Sequence, residues 1–226
     1  MTAPFYVPPE QLVKDRADFA RKGISRGRPI VVAQVTEGVL LVGENASPTL
    51  RKIGEIYDRV AFAGVGRFNE FETLRVAGVR YADLKGYSYA RADVTGKGLA
   101  NAYSQTLGQI FSHEIKPYEV DIVVAEVGVT ADEDHLFHVQ FDGTLRDAEG
   151  LAVLGSDEEA IAASMDAQHG ADVALDTALA AACAAIEAAA DRAIDLAGWE
   201  TGFLDRSAER RTFRRLTSEE IAAARD

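Results

Sequence analysis

A few residues in this sequence have the types and spacing to do chemistry. Lys52 closes a short strand in an otherwise neutral segment, so it is either a solvated strand end or a cation placed for an anionic partner. Gly64-x-Gly66-x-x-Asn69, between a strand-like run and a helix, has the setting of a dinucleotide fingerprint. That motif needs three glycines, for the turn, the approach of the pyrophosphate and the packing of helix on strand, and Asn69 stands where the third belongs. A strand-to-helix corner without ligand explains the two glycines equally. The histidines form no ligand set: His135 and His138 are three apart in a strand and face opposite ways, while His113 and His169 are isolated. All four read as surface or turn residues, and no serine, histidine and acid arrangement is legible. Cys183, the single cysteine, sits in an alanine-rich helix away from any second ligand, which excludes a disulfide frame or a zinc site and makes it a small core residue.

The elements that must position these residues follow from periodicity. Residues 1–9 hold three of the six prolines together with Phe5 and Tyr6 and show no period, predicting an irregular arm. A helix over 10–22, closed by Gly23, carries a thin apolar stripe of Leu12, Val13, Phe19 and Ala20. Strands over 30–35 and 39–43 are too close for a crossover and form a hairpin, with Pro29 marking a sheet edge. The run 60–66 reads as a buried strand leading to a helix opened by Asn69 and ending near Gly86. A loop with Tyr87 and Tyr89 precedes a second helix over 95–116. Strands follow at 121–127, 136–141 and 151–155, with a hairpin turn at Asp142-Gly143. Ser156 is the expected cap of a helix to about residue 168, and 171–196 is a long alanine-rich helix. A hairpin from 199–204 and 211–216 and a helix capped by Ser218 end the chain. Grouped strands alternating with paired helices exclude a doubly wound α/β fold and predict an α+β, four-layer αββα sandwich with an added N-terminal helix.

Composition limits the partners. With 226 residues and 47% apolar content, one domain with a substantial core is expected. The net charge of −12 opposes nucleic acid binding, which needs a basic field. Residues 1–28 run the other way, with six basic against three acidic side chains, suggesting a surface that meets another chain. No eighteen-residue apolar run exists, and the opening MTAPFYVPPE lacks the flank and core of a signal peptide, so a cytoplasmic protein without membrane contact is expected.

Over almost its whole length the sequence resembles the proteasome alpha subunits of actinobacteria. The resemblance is carried by PEQLVKDRADFARKGISRGR, by GVLLVGENASPTLRKIGEIYDRVAFAGVGRFNEFETLR, by GYSYARADVTGKGLANAYSQTLGQIF, by KPYEVDIVVAEV and by FLDRSAERRTFRRLT. It implies the N-terminal nucleophile hydrolase sandwich over residues 10–226, behind a gating arm over 1–9. It also implies a homoheptameric alpha ring stacked on beta subunits, admitting unfolded protein substrates to an interior where they are cut. The arm residues Thr2, Ala3, Pro4, Phe5, Tyr6, Val7 and Pro8 would then form the gate. Lys52 would line a pocket between adjacent subunits that takes the C-terminal tail of a ring-shaped ATPase, bordered by Arg26, Gly27 and Arg28.

Catalysis in the beta branch of this family needs a threonine at the mature N-terminus, on the first strand, with its own amine as base. Thr2 lies about 27 residues ahead of that strand, behind a helix. Registering the hairpin on the beta subunits through Gly38 places Arg28 at the nucleophile, Glu44 at the aspartate and Lys52 at the lysine. A guanidinium offers neither nucleophile nor free amine, so no catalytic residue, cofactor or metal is expected in this chain. The alternative is a stand-alone hydrolase or a regulatory module on the same sandwich.

Overall fold

Proline at the first helical position and acid-to-base polarity along the axis start and orient α1 (Pro9–Ile24), which has Glu10 in its first turn and Arg21 and Lys22 in its last. The computed structural model describes residues 8–47 and 49–225. Thr2 to Val7 of the expected gate therefore lie outside the described residues. Pro8 is extended and exposed, and its carbonyl accepts the Leu12 N–H at 3.1 Å. Gly23 does not close the helix. A Cβ there would stand 2.3 Å from Glu119 Oε1, so the glycine lets the last turn lie flush on the strand entrance below. Of the predicted stripe only Ala20 is buried on the chain's own domain, with Ile24 and Phe141; Leu12, Val13 and Phe19 remain about half exposed.

Strands β1 (Ile30–Val35), β2 (Gly38–Glu44), β3 (Ile53–Tyr57) and β4 (Val60–Gly66) follow as two antiparallel hairpins. Helices α2 (Phe68–Ser88) and α3 (Gly96–His113) lead to β5 (Val120–Glu126), β6 (His135–Val139), β7 (Leu145–Ala148) and β8 (Leu151–Leu154). After α4 (Glu158–Ser164) and α5 (Leu175–Ala190) come β9 (Trp199–Asp205), β10 (Phe213–Arg214) and α6 (Ser218–Arg225). One sheet has the order β10-β9-β2-β1-β8 and the other β3-β4-β5-β6-β7, every pairing antiparallel.

The layers follow from side-chain alternation. Ile30, Val32 and Leu41 of the first sheet meet Ala63, Val65 and Val123 of the second between the sheets. The first sheet's other face buries Val31, Leu40 and Val42 under α4, α5 and α6, where Cys183 is a buried core residue. The second buries Phe62 and Val124 under Leu74 and Tyr103 of α2 and α3. This is the four-layer αββα sandwich with an added N-terminal helix. Among the described residues no helix is long and apolar enough to cross a membrane.

Several boundaries depart from expectation for local reasons. Pro29 marks no edge, because β8 pairs along the outside of β1; its missing N–H falls one residue before the ladder. Lys52 closes no strand but immediately precedes β3. The first helical turn of α2 bonds back to the Arg67 carbonyl, from the N–H groups of Glu70 and Phe71, so Asn69 lies inside the helix. That helix also continues past Gly86, where a Cβ would stand 2.1 Å from the Tyr57 hydroxyl, and takes Tyr87 with it. Ser156 caps nothing: Asp157 turns left-handed at φ 56° and α4 starts after it. Asp191, also left-handed at φ 51°, stops α5 well before residue 196. Thr217, rather than Ser218, caps α6, exchanging bonds with Glu220 in a capping box.

Candidate functional site

The turn before β3 is built by short polar side chains. Asn45 Oδ1 accepts the Ser47 N–H at 3.0 Å, and Ser47 Oγ accepts that of Leu50 at 3.0 Å. Beneath it lies Glu200 of β9, a carboxylate almost wholly out of water. It accepts from Asn45 Nδ2 at 2.6 Å, from the Lys52 N–H at 3.0 Å and from the Ile53 N–H at 3.1 Å, with Arg215 at 3.3 Å. A buried carboxylate so supplied with donors fixes the backbone from which Lys52 projects.

The Lys52 ammonium reaches back over the head of the first hairpin. Its Nζ donates to the carbonyls of Arg28 at 3.2 Å and Glu44 at 3.3 Å. Arg28 pairs with the Glu44 carboxylate, and Arg192 grips the same carboxylate at 2.6 and 2.7 Å. One buried acid thus serves two guanidiniums, and Lys52 meets only carbonyl oxygens. Burial first, and then the Arg28 charge, lower the Lys52 pKa to about 8, against the pull of Glu200 and Glu44. The geometry leaves a partly dehydrated cation with unused donor capacity inside a field of net positive sign, which suits an anionic guest.

Arg28, Glu44 and Lys52 therefore meet, as the hairpin register expects. Gly27 is needed where it is: a Cβ would stand 2.2 Å from Val65 Cγ1, and its carbonyl accepts the Ser156 N–H at 3.0 Å. Arg26 is exposed and joins none of these bonds. The fingerprint glycines serve packing alone, since a Cβ at Gly66, where φ is 111°, would stand 1.9 Å from the Glu119 carbonyl. Their strand runs antiparallel to both neighbours, so no crossover cradle exists. Among the described residues no cluster of histidine, cysteine or acid could hold a metal.

Sequence reasoning missed Glu200 and Arg192, which reach the site from 148 residues further along the chain. It also misplaced His138, which is buried, with Nε2 3.0 Å from Asp121 Oδ1, rather than on a surface or turn. Strand alternation carried the signal, because His138 lies two residues from Leu136 and shares its inward face.

Comparison with known proteins agrees with this architecture. The family description "Proteasome subunit" matches residues 24–201. The chain is 51% identical over 222 residues to a proteasome subunit alpha of Thermomonospora curvata, covering 98% of this chain and 96% of that protein. It is 52% identical over 230 residues to that of Kineococcus radiotolerans, covering 98% and 97%. With that of Thermobifida fusca the identity is 49% over 224 residues, covering 98% and 90%. A sandwich whose first hairpin opens on an arginine, and near-complete coverage by these relatives, have one common explanation: the chain belongs to the proteasome subunit family, on its alpha branch.

Proposed function

We propose that this chain is a non-catalytic subunit of the outer heptameric ring of a proteasome core particle. In this reading the arm over residues 1–9 gates the axial channel, and Lys52, with the loop Arg26, Gly27 and Arg28 at its border, receives the C-terminal carboxylates of a ring-shaped ATPase. Substrates are admitted unfolded and cut on the beta subunits below.

The observation that carries the reading is the state of Lys52. Its two side-chain hydrogen bonds go to main-chain carbonyls, it is held by a buried acid beneath its own backbone, and it stands half-buried beside two guanidiniums. A lysine placed only for solubility needs none of this. A non-catalytic role is supported by Arg28, whose guanidinium is committed to Glu44 at the head of β1, where the hydrolytic branch keeps its hydroxyl. Docking between neighbours is supported by α1, which leaves Leu12 at 50%, Val13 at 52% and Phe19 at 49% exposure on the isolated chain.

Charge reversal tests the pocket. Particles assembled from Lys52→Glu chains and beta subunits should keep native mass and basal peptide hydrolysis but lose stimulation by the ATPase. Persisting stimulation overturns the docking assignment, and peptide turnover by the alpha chain alone overturns the non-catalytic one.

A further inference from the structure

The two edges of the sandwich carry opposite charge. β10 and β3 end the sheets on one side, where Glu200 of β9 and Arg215, just past β10, both reach Ile53; β8 and β7 end them on the other, joined through Gly150. Over residues 206–216, which include β10, five arginines stand against Glu209 alone. Over 145–176, from β7 into α5, eight acids stand against Arg146 as the one permanently charged base. In a chain of net charge −12, an arginine-rich edge is a local reversal of the whole.

Beside β3 lies a cleft of about 450 Å³ with Phe68 and Phe213 in its wall, rimmed by Arg51, Arg75, Arg211 and Arg215 against Glu55 and Glu72. Both acids are already bound, Glu72 to Arg75 at 2.6 Å and Glu55 to Arg211 at 2.6 Å. Arg51, and Arg210 on the adjoining loop, are exposed, and among the described residues their side chains join no ion pair. The strand itself is closed to a neighbouring strand at both ends. The Ile53 N–H donates to Glu200 and its carbonyl accepts from Arg215 at 2.7 Å, while the Asp58 carbonyl accepts the Thr212 N–H at 2.9 Å. A neighbour at this edge is therefore met by side chains.

The other edge presents Asp147, Glu149, Asp157, Glu158 and Glu159, all exposed and, among the described residues, in no ion pair. The two patches are level along the strands. Arg51 stands at the end where Lys52 bonds the Arg28 carbonyl, and the turn before Glu158 is tied to that same end by the Ser156 N–H on the Gly27 carbonyl. At the opposite end the loop of Arg210 and the turn of Glu149 converge on Asp134: Arg206 pairs with it at 2.7 Å, and Gln34, which bonds Asp134 at 3.0 Å, donates its N–H to the Gly150 carbonyl.

We propose that the arginine edge along β3 and β10 of one copy of this chain receives the acidic edge along β7 and β8 of the next, with Arg51 against the turn 157–159 and Arg210 against Glu149. Patches of opposite sign on opposite edges pair head to tail, whereas a two-fold contact would set like charge against like. A head-to-tail contact whose rotation closes generates a ring. The contact rests on the ring reading above and adds to it which edges meet. It also sets the neighbour beside Lys52, which directly follows Arg51.

The test is native mass measurement of full-length chains assembled with beta subunits. Arg51→Glu with Arg210→Glu, or Glu149→Lys with Glu159→Lys, places like charges opposite one another at both levels. Each pair should raise the chain concentration needed for half-assembly by at least about tenfold while leaving the melting temperature of the chain unchanged, since all four side chains are exposed. The four substitutions together exchange the signs of the two edges at these positions and should restore assembly. Single-edge chains that assemble as the native chain does, or a four-substituted chain that folds but does not recover, overturn the contact and leave the ring reading standing. A native chain that forms no large particle removes the ring reading and the contact with it.

Discussion

If Lys52 receives the tail of an ATPase as proposed, raising the pH should detach that tail. The lysine is held at about 8 against an ordinary 10.5, first because its ammonium is drawn out of water and then because the Arg28 charge lies beside it. On a simple titration about nine-tenths of the side chains carry the proton at pH 7 and about one-tenth at pH 9. A bound carboxylate raises that value, so affinity should fall about tenfold per pH unit above 8 until the bound form titrates as well. A charge-assisted hydrogen bond contributes roughly 1.5 to 3 kcal/mol, which sets the whole loss at roughly 10- to 150-fold for one pocket. Repetition around the ring multiplies it for a multivalent partner. The assay is fluorescence anisotropy of a labelled peptide carrying the ATPase C-terminus, titrated with assembled particles at constant ionic strength. Lys52→Arg keeps the charge at every pH tested and should flatten the profile. A flat profile for the native particle, or an equal fall in Lys52→Arg, refutes the reasoning.

Further outcomes follow from the same structure. Because ionised Lys52 is disfavoured in the fold, it opposes stability below pH 8 and ceases to between 8 and 10.5; Lys52→Met should therefore raise the melting temperature more at about pH 7 than at about pH 10. Deleting residues 2–8 should increase degradation of an unstructured protein by the assembled particle, and unchanged rates would remove the gate. Leu12→Asp with Phe19→Asp should abolish ring formation seen by native mass measurement while leaving chain stability within about 0.5 kcal/mol, since both side chains are half exposed on the isolated chain. Gly27→Ala, with its Cβ 2.2 Å from Val65 Cγ1, should cost about 1 to 3 kcal/mol in denaturant unfolding.

The layer order was legible in the sequence because grouping of strands and helices is a property of whole segments, and the nearly continuous apolar runs over 30–35 and 60–66 mark strands buried on both faces. Ends were less so, since they depend on neighbours distant in sequence. Nothing near Ser156 says that its N–H belongs to Gly27, and nothing near Gly23 says that Glu119 needs its space. Lys52 was singled out by its neutral setting, and Arg28 and Glu44 by register on a related hairpin. Glu200 and Arg192 carried no local mark, because a buried acid and its donors become recognisable only when β9 is laid against β2. His138 was overlooked by weighing its spacing from another histidine instead of the inward face that it shares with Leu136.

Glu200 fastens the chain on both sides of a surface turn, at Asn45 and at Lys52 with Ile53. The stretch between those fastenings is a bridge whose abutments are set in rock, with Ser47 as the brace in its span. Exchanging Ala46 or Thr49 touches neither brace nor abutment, so kindred chains can differ at those two surface positions and still deliver the same ammonium to the same spot.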